Sequence, residues 1–325
     1  MQQQYGFIEN SPNGTVMFYG TVASGQSNPG VAVENVYYWQ RPNRARFAMA
    51  FTVGGGAGAC GGYSTAASSN YGGGGSSGAA SNVFLMDLRF FGKTQPIYVG
   101  TGSAGGVGSS FNSGAPTAGF AGGDTVLFLY NGKMAPSQAS YWIISRSRGS
   151  INRIGASGSQ LLLGIAGANT LAYGISILSN ATSKNGTTSN GTSNATDLTD
   201  FDNAGTLNII GSATGAGGTT ALGAAYTNAG NITFNSLFNI NDLIAPTTDG
   251  ANGIMGYSTF GYTGSVYPWF STGGTGGTGS ILGAGGRGGN GGGPGAAGGG
   301  GGGSSAAAGG NGGDGGPGLV MFTYW

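Results

Sequence analysis

Carboxylates are the residues of this sequence with the clearest capacity for chemistry, and the densest group is Asp197, Asp200 and Asp202. Two carboxyl groups hydrolyse a glycosidic bond when they face each other across the substrate. Neighbours on one polar segment are a poor match for that geometry. The same segment partly matches a calcium loop, but Ala204 stands where an oxygen ligand belongs. We interpret the segment as a solvated acidic turn and leave calcium binding as the weaker alternative.

Histidine is absent from the 325 residues, which removes the commonest general base, nucleophile activator and metal ligand. Cys60 is the single cysteine, so it has no partner for a disulfide or a thiolate metal site. We expect it to be a small buried apolar residue. The sequence therefore predicts no catalytic residues, no metal and no cofactor, and hence no enzyme.

Charge is sparse and balanced, with 11 basic and 10 acidic residues and a net charge of +1. No summed field would draw the chain to nucleic acid or to an anionic membrane. We expect Arg41, Arg44 and Arg46 to share one face of a strand and to pair with carboxylates or backbone at a subunit contact. The sequence lacks an apolar run of about 18 residues for a membrane span. The N-terminus also lacks the basic start and apolar core of a signal peptide.

Glycine is the residue that dominates the predicted structural elements, since it occupies 74 positions. The chain repeats a pattern in which a short apolar strand runs directly into a glycine tract. Arg46 to Val53 leads into Gly54, and Pro96 to Val99 leads into Gly100. No sustained helical period is present. The pattern predicts an all-β, helix-poor fold of short strands combined with packed glycine tracts of polyproline-II type, in an intertwined fibre or spike.

The segment 273–318 supports the polyproline-II assignment because several of its other residues fall every third position, and Asn311, Asp314 and Pro317 rejoin the same phase after an interruption. Polyproline II has three residues per turn, and glycine at the remaining positions lets backbones approach closely. Collagen would need glycine at every third residue with plentiful proline. A disordered linker would not end in the apolar run Leu319 to Trp325. The residues in phase are Thr272, Thr275, Thr278, Ile281, Ala284, Arg287, Asn290, Asn311, Asp314 and Pro317.

Composition divides the chain into four parts: 1–38, a short-strand attachment segment; 39–130, the first part of a glycine-rich domain; 131–270, an insertion rich in Asn, Ser, Thr and aromatics; and 271–325, a second tract with a closing strand. The insertion is the candidate receptor-contacting region. Aromatic side chains give rigid contact area with a polar handle, and Tyr257, Tyr262 and Tyr267 are the residues we expect to be exposed. Core packing is the alternative for each of them.

Three separated segments, in order, resemble the glycine-rich domain of bacteriophage tail fibre proteins. They are Trp39-Gln40-Arg41-Pro42 with the strand entering Gly54, the stretch from Pro96 to Phe111, and the closing stretch from Gly309 to Trp325. The resemblance implies a virion tail fibre or spike protein, made in the host cytoplasm, that acts as a host-receptor adhesin. It also implies a homotrimer whose partners are other virion proteins and a bacterial surface receptor, either a glycan or an outer-surface protein.

The closing strand is apolar on both sides, and an unpaired apolar edge invites association. We therefore expect it to lie in a subunit interface or a shared core. The expected assembly residues are Trp39, Pro42, Leu319, Phe322 and Trp325.

Two other classes remain open. A purely structural virion component, such as a capsid fibre, collar or decoration subunit, would bind virion proteins and no receptor. An ice-binding or silk-like protein would share the period of three but would not need the long aromatic insertion.

Overall fold

A computed structural model describes part of the chain, and all structural statements concern that part. The described residues are 14–22, 35–65, 72–73, 75, 79, 81–112, 115–128, 142–146, 165–168, 175–181, 211–212, 232–234, 238–240, 255–258, 267–271, 274 and 276–325.

The described residues form an all-β, helix-poor fold, as the sequence predicts, with a single 3-10 turn at Leu88–Phe90. The strands are β1 Gly14–Tyr19, β2 Asn35–Gln40, β3 Phe47–Val53, β4 Ser81–Asp87, β5 Thr94–Val99, β6 Thr125–Phe128, β7 Trp142–Arg146, β8 Ile165–Ala168, β9 Ile175–Ala181, β10 Gly211–Ser212, β11 Ile232–Phe234, β12 Phe238–Ile240, β13 Met255–Ser258, β14 Tyr267–Ser271 and β15 Leu319–Tyr324.

Ten strands form two five-stranded antiparallel sheets. Sheet 1 has the order β1-β15-β3-β4-β9, and sheet 2 has the order β2-β5-β6-β7-β8. β15 is therefore an interior strand, with β1 and β3 on either side of it. Strands β7, β8 and β9 belong to the 131–270 insertion, so part of that insertion completes the two sheets. The five remaining strands form two small sheets, β10-β14-β13 and β11-β12.

The two sheets pack face to face, and their facing side chains form one apolar core. Phe322 of β15 stacks on Trp39 of β2, with ring centroids 4.1 Å apart and planes inclined by 7°. Leu319 and Met321 lie on the other face of sheet 1 with Phe51 of β3. β15 is thus buried on both faces, which is why its sequence is apolar without alternation. The core residues are Val16, Phe18, Trp39, Ala45, Ala48, Ala50, Phe84, Met86, Leu88, Phe91, Ile97, Val99, Leu127, Val320, Phe322 and Tyr324.

Glycine-rich segments continue from one end of the sandwich as a bundle of seven extended tracts. We number them tract 1 (54–62), tract 2 (100–109), tract 3 (117–123), tract 4 (274–280), tract 5 (285–291), tract 6 (296–304) and tract 7 (309–318); residue 275 lies outside the described residues.

Hydrogen bonds between tracts recur every third residue, the repeat of polyproline II. In tract 1, the N–H groups of Gly55, Gly58 and Gly61 donate to tract 3. Those of Gly56, Ala59 and Gly62 donate to tract 7. Each tract contacts its neighbours along different sides of the same backbone, so the donors and acceptors that a β-ladder would have used are satisfied between tracts.

The bonding pattern arranges the tracts in two layers. Tracts 5, 7 and 2 form one layer, and tracts 4, 6, 1 and 3 form the other. Tracts 1, 2, 4 and 6 run away from the sandwich, while tracts 3, 5 and 7 return to it. Gly295, with φ of +71°, makes the turn from tract 5 to tract 6 beside Val53. Only glycine enters that left-handed region at little cost.

The structure confirms the period of three that the sequence predicts for the second glycine segment. Ile281, Ala284, Arg287 and Asn311 are exposed, whereas the glycines between them are mostly buried. Thr272 and Thr275 lie outside the described residues.

The expectation for the arginines is wrong in one respect. Arg41, Arg44 and Arg46 lie in the loop before β3 and not on one strand. The reason is local: Ala45 N–H closes a turn onto the Pro42 carbonyl, at 3.2 Å, before the strand begins.

Candidate binding surfaces

Four serine side chains form hydrogen bonds with backbone groups at the outer ends of the glycine tracts. The Ser109 hydroxyl oxygen accepts from the Ser64 N–H at 2.6 Å, and the Ser64 hydroxyl donates to the Ala307 carbonyl. The Ser304 hydroxyl donates to the Gly283 carbonyl at 2.6 Å. Ser280 accepts from the Gly283 N–H at 2.9 Å. These bonds satisfy backbone groups that the glycine tracts leave open where they end.

The sequence reasoning missed these serines, although the signal was present. Each tract that runs away from the sandwich is followed or closed by serine, at Ser64, Ser109, Ser280 and Ser304. Serine hydroxyls hydrogen-bond nearby backbone and so favour turns. The pattern could have located the turns at the end of the bundle that lies farthest from the sandwich, which we call the bundle tip.

Large apolar side chains are exposed at the bundle tip. Leu282 is 90% exposed and Ile281 53% exposed, both in the turn between tracts 4 and 5. Phe111 is 43% exposed in the turn after tract 2, next to Asn112 with its φ of 54°. The Ser305 N–H donates to the Ser280 carbonyl at 3.1 Å. This bond holds the turn after tract 6 against the turn between tracts 4 and 5. The tip therefore carries exposed apolar side chains at two opposite edges of the bundle, in turns that contain no charged residue.

A cleft of about 260 Å³ lies on the three-tract layer of the bundle. Its polar groups come from tracts 5 and 7, where a nitrogen of the Arg287 guanidinium lies 3.0 Å from an Asp314 carboxylate oxygen. The Asp314 carboxylate also accepts from the Gly105 N–H at 2.9 Å. The lining residues are Ala104, Gly105, Gly106, Arg287, Asn311, Gly312 and Asp314.

The polar side chains of this cleft serve the bundle itself. Asn311 accepts from the Gly108 N–H at 3.0 Å, as Asp314 does from Gly105. Asn290 accepts from the Asp314 N–H at 2.9 Å. Each side chain thus satisfies a backbone donor of the neighbouring tract in the same layer. The arrangement explains why Asn and Asp occupy these outward positions.

The expected assembly residues lie in different surroundings. Trp39, Leu319 and Phe322 are 3% exposed or less, inside the apolar clusters of one chain. Pro42 is half-buried in the loop before β3, and Trp325 is 45% exposed. Both edges of β15 are occupied within the chain, so its apolar run needs no second chain to be buried. A role of these residues in assembly stays a prediction.

The three tyrosines predicted to contact a receptor lie only partly within the described residues. Tyr257 lies on β13 and Tyr267 on β14, and these strands pair with Tyr257 opposite Pro268 and Ser258 opposite Tyr267. The structure therefore brings Tyr257 and Tyr267 onto adjacent strands. Tyr262 lies outside the described residues, as do Asp197, Asp200 and Asp202.

Three further expectations from the sequence concern Cys60, metal-ligating side chains and membrane-spanning segments. Cys60 is buried in tract 1, with its sulfur 3.2 Å from the Thr117 carbonyl oxygen, which confirms its packing role. Within the described part of the chain, no group of three or more metal-ligating side chains is found. Across the same residues, no helix has the length and apolar character to cross a membrane.

The fold and its surfaces define a β-sandwich that carries a two-layer bundle of polyproline-II-type glycine tracts. The model of the glycine-rich domain family matches residues 31–325, and the chain belongs to that family. Comparison with curated proteins gives no match.

Proposed function

We propose that this chain is a non-catalytic adhesin of a bacteriophage virion, a tail fibre or spike protein that contacts the host surface. The observation that carries the proposal is the bundle tip, where Phe111, Ile281 and Leu282 project from turns at the end of a bonded bundle. Support also comes from the resemblance of three chain segments to tail fibre proteins.

The bundle is suited to holding a contact surface away from the body of the protein. Tract 1 has nine residues, so at about 3.1 Å per residue it extends about 28 Å from the sandwich. Bonds to neighbouring tracts at every third residue fix it along this length. A contact surface held in one position loses little freedom on binding.

The apolar character of the tip favours contact with a protein surface over a charged glycan. Isolated exposed apolar residues are ordinary, but Ile281 and Leu282 are adjacent in one turn and both exposed, and Phe111 adds a second apolar contact at the other edge of the tip. Leu282 at 90% exposure contributes nothing to the core of the chain.

The insertion 131–270 provides a second possible contact region for the same function. Its aromatics and amides can discriminate between partners, and Tyr257 and Tyr267 lie on adjacent strands. Both regions can act together because several weak contacts add through multiple copies.

The decisive experiment is adsorption of particles that carry substitutions at the tip. We expect Leu282→Asn combined with Phe111→Asn to lower the adsorption rate about tenfold, since buried apolar anchors dominate contact energies. Ala306→Ser, an exposed change in a neighbouring turn, is the matched control and should leave adsorption unchanged. Circular dichroism and thermal melting of the purified variants check that folding is intact.

Separate Tyr257→Ala, Tyr262→Ala and Tyr267→Ala variants, and a graft of 131–270 between related phages, test the insertion. If the tip variants, the tyrosine variants and the graft all leave adsorption and host range unchanged in intact particles, the purely structural virion component is the better function.

A further inference from the structure

The end of the sandwich opposite the bundle is built from three chain segments. The Arg46 N–H and the Phe47 N–H donate to the Trp325 carbonyl at 2.7 and 2.9 Å. The Arg41 N–H donates to the Lys93 carbonyl at 2.7 Å. The Arg41 guanidinium donates to the carbonyls of Leu88 and Phe91. We call this surface, formed by 41–47, 88–93 and Trp325, the base.

Exposed cations surround the base. Arg44, Arg46, Arg89 and Lys93 are all exposed. In the described part of the chain, the carboxylate beside them is that of Asp87, which lies 2.5 Å from the Arg89 guanidinium. That hydrogen bond holds the pKa of Asp87 below its usual value, so the carboxyl is ionised and offsets one cation. Among the residues that the structure describes, the other cations leave the base with a net positive charge.

Aromatic side chains are exposed between these cations. Phe90 is 50% exposed and Trp325 is 45% exposed. The Trp325 ring lies 6.2 Å from the half-buried ring of Phe47. Arginine and aromatic residues are the types enriched where proteins bind proteins, and the energy concentrates at such anchors.

We propose that the base is a docking surface for another protein of the virion, one that presents Asp and Glu side chains around an apolar depression. Charge complementarity selects the acidic partner, and the exposed Phe90 and Trp325 select a protein. A nucleic acid would draw on a denser run of cations without the need for two apolar side chains. The inference rests on the proposed virion function and adds an attachment site at the end opposite to the bundle tip.

The test uses particles that lack this chain, to which purified full-length protein is added. We expect Arg44→Glu combined with Arg46→Glu to reduce uptake of the protein into particles about tenfold, because both side chains are exposed and would repel the acidic partner. Arg44→Lys combined with Arg46→Lys keeps the charge and should be taken up nearly as well as the original protein. Uptake of the original protein should fall as salt is raised.

Two further experiments identify the docking partner and separate the docking proposal from the adhesin proposal. A photoreactive benzoylphenylalanine in place of Phe90 should crosslink to an acidic virion protein. The Leu282→Asn variant should be taken up normally and yet adsorb poorly.

Equal uptake of the Arg44→Glu and Arg46→Glu double variant, or a crosslink to nucleic acid or lipid, overturns the docking proposal while the adhesin function stands. If the original protein itself is not taken up, the virion function fails and the docking proposal fails with it.

Discussion

Gly58 lies at the centre of the bundle, where a Cβ atom would come within 2.0 Å of the Ala104 carbonyl oxygen. Gly283 lies in a turn at the tip, and a Cβ there would meet the Ser280 hydroxyl at an ordinary 3.7 Å. The two glycines have different roles. The first allows two tracts to approach, whereas the second occupies open space at a φ that other residues can adopt.

These two positions give a matched pair of variants. We expect Gly58→Ala to lower the free energy of unfolding by about 3 kcal/mol or more, since two backbones must separate to admit a methyl group. Gly283→Ala should change it by about 1 kcal/mol or less, in the stabilising direction, because alanine restricts the unfolded chain. Chemical denaturation of the full-length protein measures both, and equal stability of the two variants would contradict this packing.

Tracts 2 and 7 show how side chains complete the bonding of an element made of glycine. Tract 2 donates to tract 1 through Ser103, Gly106 and Ser109. The donors of Gly105 and Gly108 point toward tract 7, where Asp314 and Asn311 accept from them. Side chains at every third residue of tract 7 therefore accept hydrogen bonds from those N–H groups of tract 2 that do not donate to a neighbouring backbone.

The pair Asp314 and Arg287 separates this bonding role from surface charge. We expect Asp314→Ala to destabilise the protein by about 1 to 3 kcal/mol, because the buried Gly105 N–H loses its acceptor. Arg287→Ala removes the half-exposed ion pair but leaves that acceptor in place, so its cost should be about 1 kcal/mol or less. Thermal or chemical unfolding distinguishes them, and a larger loss for Arg287→Ala would be contrary to the assignment.

Much of this element structure follows from the sequence. The phase of Ile281, Ala284 and Arg287 predicts which residues point outward, because a three-residue turn fixes one side per repeat. The partners of each tract could not be predicted in this way. Every glycine tract presents the same donors and acceptors, so the sequence does not distinguish tract 7 from tract 6 as the neighbour of tract 1. Tracts 1, 2, 3 and 7 adjoin strands β3, β5, β6 and β15 of the sandwich, which the sequence alone does not place next to one another.

At the scale of the whole molecule, one sandwich carries surfaces at opposite ends, the apolar tip and the cationic base. The sequence predicts an all-β chain but not the pairing of β1 with β15, since contacts across such a separation depend on the assembled sheets. It also suggested that the closing strand is an unpaired edge, whereas β1 and β3 occupy both of its sides. Trp39 and Phe322, which the sequence predicts as assembly residues, stack inside one chain.

The homotrimer remains a prediction of the resemblance. Multi-angle light scattering of the full-length protein should give three times the 31.8 kDa of one chain. Because β15 is already paired within the chain, the contacts of a trimer must involve other surfaces. The same mass over a hundredfold dilution would support a stable trimer, and a mass of one chain throughout would contradict it.

The interior position of β15, between β1 and β3, has a consequence for biosynthesis. Gly14 of β1 pairs with Tyr324 of β15, so the first described strand waits for nearly the whole chain to be translated. At about 5 to 20 residues per second this interval is about 15 to 60 s. During it, β1 and β3 each have an open edge, and the glycine tracts made first lack the neighbours made last. The nascent protein is therefore most exposed to misassociation just before β15 is made, and translation rate or chaperone supply should affect its yield more than its final stability.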